Sequence, residues 1–273
     1  DAQYRSRNEE LGNFTKQSES LSIIEGLVNE PSDTSLHNTI KNYFNSLQDL
    51  ATNPESSSVR ATVREQGRAM TSMFNRVSTE LQELQESKNF EIIDIVDDIN
   101  EKLNKIADLN LDIARSSGPG RSNNDLSDQR DVLLDELSGL VDMNSYMDEA
   151  TNTVTVTIAG QAFVVNGNYL QLHTEIDYID GKEFVSVQNP TDKSDMPISS
   201  GELYGLFQIR DETLPNLIGE LDTLATSIMD NVNEIHQQGY GIQGSRPTPP
   251  TNLDFFEGTS AATMRLSYEI LSD

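Results

Sequence analysis

The sequence predicts a mainly α protein with an inserted β domain (α+β), an elongated antiparallel helical bundle carrying a small antiparallel β domain. Three observations lead there. Two segments, Ile92, Val96, Ile99, Leu103, Ile106, Asn110, Ile113 and Leu214, Ile218, Leu221, Ala225, Ile228, Val232, Ile235, space their residues alternately four and three apart, which lines up one helix face as a packing seam. From Val59 to Arg115 there is no proline and a single glycine, Gly67, so one helix there could run about 85 Å at 1.5 Å per residue. After Met143 the apolar period drops to two, the mark of strands.

The elements follow in order. Residues 3–29 predict a helix with Leu11, Phe14, Leu21, Ile24 and Val28 as its buried face, ended by Pro31. A second helix runs from Ser35 to Ala51 and stops at Asn53-Pro54, and Ser56–Ser58 can cap the long third helix, which could run unbroken or break near Ser87–Asn89. Gly118-Pro119-Gly120 predicts a loop, after which Asn124 or Asp125 caps a short helix through Leu126, Val132, Leu133, Leu137 and Leu140. Thr153–Ile158, Ala162–Val165 and Tyr169–His173 predict strands, with a turn at Ala159-Gly160 and a tight hairpin at Asp180-Gly181. Helix resumes at Gly201 with a joint near Arg210 and runs to about Gln238; Gly239–Pro250 is a loop, and Met264–Ile270 reads as a last strand.

Because the two seams flank the strands, they predict mutual partners in one discontinuous bundle. The expected domains are residues 1–142 with 201–239 for the bundle and 143–200 with 240–273 for a β-rich outer domain, incomplete at its C-terminal side. Leu221 and Ile228 should be buried against the first half of the chain. Asn110, the one polar residue on its seam, predicts a register-fixing position whose replacement by leucine raises stability and loosens pairing specificity.

Charge narrows the function. With 19 basic and 45 acidic residues the formal net charge is −26, which argues against nucleic acid and anionic membrane surfaces as partners. The absence of cysteine removes disulfides and thiol chemistry, and no run of about 18 apolar residues suits a membrane span. A start at Asp1 and an end at Asp273 predict the interior of a longer protein.

No catalytic, cofactor-binding or metal site is predicted. Asp94, Asp97, Asp98 and Glu101 read as a solvated acidic face, and Asp125, Asp128 and Asp131 as carboxylates favoured by a helix N-terminus. His37, His173 and His236 lie on separate segments without an HExxH motif or a serine partner, and His236 is expected to pack or hydrogen-bond at the end of its helix. Gly239-Tyr240-Gly241 and Gly244 lack the strand and helix of a dinucleotide fingerprint.

Tyr43-Phe44-Asn45, Leu47-Gln48, Leu50-Ala51, Asn53-Pro54 and Arg60, then Asp125-Leu126 with Asp128-Gln129-Arg130-Asp131, then Arg210-Asp211, Leu214-Pro215, Leu221-Asp222, Leu224-Ala225, Val232-Asn233, His236 and Gly239-Tyr240 resemble, in this order, the family of the first hook-associated protein of the bacterial flagellum. The resemblance runs from Tyr4 to Phe255-Phe256, and the family's terminal coiled-coil segments are missing at both ends. It implies a non-enzymatic axial component at the junction of hook and filament, exported by the flagellar type III apparatus. Implied partners are the hook protein, the filament-side junction protein, neighbouring copies in a ring and an export chaperone acting through the missing terminal region. A related axial protein (filament-side junction protein or flagellin) or an unrelated helical scaffold is the alternative. Without the terminal coils, the chain is expected to be a monomer in solution.

Overall fold

The computed structural model describes residues 2–28, 35–116, 124–179, 181–241 and 251–272. Its helices are α1 (Ala2–Val28), α2 (Leu36–Thr52), α3 (Ser57–Ser116), α4 (Asn124–Leu140), α5 (Gly201–Gln208), α6 (Leu214–Gln238) and α7 (Tyr268–Ser272), with a π-helical segment, Ile209–Thr213, between α5 and α6. The strands are β1 (Met143–Asp148), β2 (Thr153–Ile158), β3 (Gln161–Val165), β4 (Asn168–Tyr169), β5 (His173–Ile179), β6 (Lys182–Gln188), β7 (Phe256–Glu257) and β8 (Arg265–Leu266). Strands β1 to β4 form one antiparallel sheet in sequence order, while β5–β6 and β7–β8 are separate hairpins. Pro31, Gly118-Pro119-Gly120, Asp180 and Gly244 lie outside the described residues. No described helix is long and apolar enough to cross a membrane.

Local chemistry sets most boundaries. Ser35 caps α2 by accepting from Asn38 N, and Ser56 Oγ accepts from Val59 N at the start of α3. Ala159 and Gly160 both adopt positive φ in the two-residue turn joining β2 to β3, and Ile179 pairs with Lys182 across the two residues between β5 and β6. Of the two alternatives at Ser87–Asn89 the unbroken helix holds: α3 is continuous, and the Asn89 side chain bonds strand β6 instead of competing for its own helix backbone. The single strand expected over Tyr169–His173 is split between β4 and β5. The strand expected over Met264–Ile270 keeps only Arg265–Leu266, since Ser267 Oγ accepts from Ile270 N and caps α7.

The chain forms two compact units, Asp1–Leu21 with Gln85–Glu212, and Ser22–Leu84 with Thr213–Asp273. The two seams therefore fall in different units. At 60 residues α3 is about 90 Å long, and its second half, carrying Ile92 to Ile113, belongs to the first unit, where it shares a core with α4, α5 and strands β1, β2, β3 and β6. The α6 seam belongs to the second unit, with Tyr43, Met70, Phe74, Phe255, Phe256 and Leu266 among its buried residues. The expected division into 1–142 with 201–239 and 143–200 with 240–273 differs from these units for the same reason. Strand β2 buries Val154, Val156 and Ile158 in the core of the first unit, and in the second unit Phe255 and Phe256 stack at ring distances of 5.7 and 5.4 Å on Tyr43. Leu221 and Ile228 are buried in the unit that holds Ser22–Leu84, as expected.

Helix α1 departs most from its sequence pattern. Leu11, Phe14 and Leu21 are exposed, and the buried side presents Gly12, Ser20 and Ile24. A Cβ on Gly12 would sit 2.0 Å from Gly139 O, so α1 and α4 touch backbone to backbone through two glycines. Close approach of small residues wins over burial of the larger apolar ones.

Candidate functional site

In the first unit three asparagines of α3 grip non-helical backbone. Asn89, Asn100 and Asn110 are eleven and ten residues apart, about 16 Å along the helix. Asn89 donates from Nδ2 to Glu183 O at 2.7 Å and accepts at Oδ1 from Val185 N at 3.0 Å. Asn100 does the same to both polar groups of Leu172, at 3.0 and 2.8 Å. Asn110 grips Val154 at 2.7 and 2.9 Å and also donates to Asn166 O at 2.7 Å. Each amide takes the place of a neighbouring strand, offering the donor and acceptor that a buried peptide group needs.

Two of the three clips are locked by buried arginines. Arg210, on the π segment, donates from Nη1 to Asn89 Oδ1 at 2.9 Å and Val185 O at 2.7 Å, and its Nε and Nη2 reach both carboxylate oxygens of Asp211 at 2.6 and 2.9 Å. The guanidinium also lies over the rings of Phe184 and Phe207, 5.4 and 5.2 Å from their centres. Arg130, fully buried on α4, donates from Nη1 to Asn110 Oδ1 at 3.2 Å and Asn152 O at 2.8 Å, and burial lowers its pKa. Arg210-Asp211 and the Arg130 of Asp128-Gln129-Arg130-Asp131 are thus joints of the fold. Asn110 is not the isolated seam residue expected from periodicity, because every polar atom of its amide is engaged.

The second unit repeats the device. Asn233 Oδ1 accepts from Phe255 N and Phe256 N at 2.8 and 2.9 Å, while its Nδ2 donates to Phe256 O at 2.8 Å. Asp222 accepts from Ala261 N at 2.7 Å, and Asn75 donates to Ala261 O and Met264 O. His236 both hydrogen-bonds and packs: it donates from Nδ1 to Leu253 O at 2.6 Å, and its ring lies 5.5 Å from that of Phe255.

The remaining candidates are solvated or paired. Asp94, Asp97 and Glu101 are exposed, Asp98 bonds Lys102 at 3.1 Å, and the Lys105 partner of Glu101 lowers its pKa. Asp125 lies in the first turn of α4, Asp128 is exposed, and Asp131 lies 3.6 Å from Arg5. His37, His173 and His236 sit on α2, β5 and α6. Among the described residues no group of three or more His, Cys, Asp or Glu is placed to hold a metal ion.

Two exposed apolar features stand out among the described residues. One is the α1 stripe. The other is a groove of about 930 Å³ in the second unit, between α2, the start of α3 and α6, floored by Tyr43, Leu47, Val63, Ile228 and Val232 and edged by Phe44 and Ile235, which are exposed. Its charged lining among the described residues is Arg60 and Arg64.

Sequence reasoning missed Asn89 and Asn100 as clips. The available signal was five asparagines on one long helix, where asparagine is intrinsically unfavourable unless something else employs its amide.

The chain is 27% identical to "Flagellar hook-associated protein 1" of Bacillus subtilis, an alignment covering 96% of this chain and 56% of that protein, and 28% identical to the Salmonella typhimurium protein of the same name, over 93% and 46%. The solved flagellar hook junction protein FlgK of Burkholderia pseudomallei superposes with a TM-score of 0.76 at 25% identity, over 94% of this chain and 46% of that one. The chain thus spans about half the length of these relatives. Residues 21–256 match the family described as the flagellar hook-associated protein FlgK helical domain, and the chain belongs to that family.

Proposed function

We propose that the chain is the structural core of an axial flagellar protein that joins hook to filament. The observation that supports this best is the use of the matched motifs: Arg130, Arg210, Asp222, Asn233 and His236 each fasten one element to another, as a subunit that bears load requires. The role is mechanical and non-enzymatic. The partners are the hook protein on one side, the filament-side junction protein on the other and neighbouring copies around the axis, with strands β1 to β6 facing outward. Export through the flagellar type III apparatus puts it outside the cell, and a chaperone would act through sequence beyond residues 1–273.

The test is complementation. A flagellated strain lacking its own junction protein receives the longer protein that contains this chain, and swimming and electron micrographs of hooks are scored. Restored filaments are expected. Bare hooks despite exported protein would reject the reading.

A further inference from the structure

We propose that the Asn166-Gly167 turn between β3 and β4 is a site of spontaneous covalent modification, where the asparagine loses its amide nitrogen and the chain rejoins through an isoaspartyl link that releases the Asn110 clip. The chemistry needs no partner and does not depend on the axial role proposed above.

Three observations point to this turn. The first is the dipeptide. Asn166-Gly167 is the only asparagine-glycine step in the sequence, and a glycine leaves its own nitrogen unshielded by a side chain. Packing accounts for the glycine: a Cβ on Gly167 would lie 2.1 Å from Leu111 Cδ2 on α3.

The second is access. Only Asn166 and Gly167 separate the paired residues Val165 and Asn168, and Asn166 is exposed, at a φ of 55°, so water and hydroxide reach both its amide and the turn. The third is a donor. The buried Thr153 donates from Oγ1 to Asn166 Oδ1 at 3.3 Å, which sets a hydroxyl where negative charge develops when a nucleophile adds to Cγ.

The reaction is an intramolecular acyl transfer, favoured because both groups belong to adjoining residues. Gly167 N gives its proton to hydroxide and attacks Asn166 Cγ. The N–Cγ bond forms, the Cγ–Nδ2 bond breaks, and Nδ2 leaves as ammonia with a proton from water, closing a cyclic imide. A second water opens the ring at either carbonyl. Opening at Cγ restores the main chain and leaves aspartate, whereas opening at the main-chain carbonyl breaks its bond to Gly167 N and leaves isoaspartate, linked through Cβ and Cγ. In sum an amide and water become a carboxylic acid and ammonia, with no change of oxidation state.

The isoaspartyl product acts on the fold. The Asn166 carbonyl, which accepts from Asn110 Nδ2 at 2.7 Å, leaves the main chain as a free carboxylate, and the tight turn gains a methylene. Asn110 also grips Val154 and is held by Arg130, so the change falls on a buried joint. Aspartate keeps that carbonyl in place.

The test is ageing of the folded chain in mildly alkaline buffer below its melting temperature. Peptide mapping by mass spectrometry follows each asparagine, and enzymatic methylation with S-adenosylmethionine counts isoaspartate. The Asn166 peptide should convert several-fold faster than any other, chiefly to isoaspartate, and the aged protein should melt below the fresh one. Asn166→Gly, which suits a positive φ and has no amide to lose, should keep its melting temperature through the same treatment. Fresh Asn166→Asp carries the charge without the new link and should melt with the fresh parent. Conversion at Asn166 no faster than at other asparagines would overturn the site. A converted protein that melts with the fresh one, or fresh Asn166→Asp melting as low as the aged protein, would overturn the release of the Asn110 clip.

Discussion

Arg210 Nη1 donates to Asn89 Oδ1 at 2.9 Å across 121 residues of sequence. The same amide oxygen accepts Val185 N, so α3, strand β6 and the π segment meet at one atom. The Arg210 carbonyl accepts in turn from Gln85 Nε2 at 2.9 Å, and a π turn, common at functional positions, carries this joint.

Replacing Arg210 by lysine should therefore destabilise the first unit by about 2–4 kcal/mol, because an ammonium cannot reproduce the fork on Asp211, the two further acceptors and the stacking on Phe184 and Phe207 together. Urea denaturation measures it. A midpoint equal to the parent's would mean that the guanidinium contributes nothing to the joint.

Asn110→Leu should lower stability by about 2–4 kcal/mol, the reverse of what a coiled-coil seam predicts. Leucine leaves buried the amide and carbonyl of Val154, the carbonyl of Asn166 and Arg130 Nη1 with a partner lost from each. Thermal melting decides. A variant melting at or above the parent temperature would restore the register-fixing account.

Much of the fold was legible because periodicity reports burial directly: from Ile92 to Ile113 every seam residue is buried, and the alternation of β2 is obeyed. What each seam faces was not legible, since spacing carries no partner identity and α3 is long enough to serve both units. The α1 stripe misled for a related reason. Gly12 and Gly139 let backbones approach where no apolar pattern marks them. Among the joints, Arg210-Asp211 stood out as a motif, but its link to Asn89 depends on tertiary contact alone.

Leu221→Ala tests the second unit. Leu221 is 7% exposed on the α6 seam, and truncation of a buried leucine costs about 2–5 kcal/mol, with the upper half of that range requiring a cavity that cannot collapse. Because Leu221 lies at the edge of burial, about 2–3 kcal/mol is expected. A denaturation curve superimposed on the parent's would show that α6 does not pack through this seam.

Asp142 offers a pH test. Burial raises its carboxyl above the usual range, outweighing the hydrogen bond from Ser199 Oγ at 3.0 Å, and nearby Glu9 is raised too, first by burial and then by the charge of Asp142. A raised pKa means that the folded state holds the proton to higher pH than the unfolded chain does. Ionising Asp142 therefore costs stability as pH rises from the ordinary carboxylate value of about 4 through the folded value, and that loss persists at neutral pH. Asp142→Asn removes the charge and keeps one oxygen to accept from Ser199. The variant should melt above the parent at pH 7, and the gap should close as pH falls below about 4, where both proteins are neutral at this position. Melting curves from pH 3 to pH 8 check it. A gap that is constant with pH would assign the effect to packing, and a variant less stable than the parent at pH 7 would mean that the carboxylate is held by an interaction stronger than its desolvation.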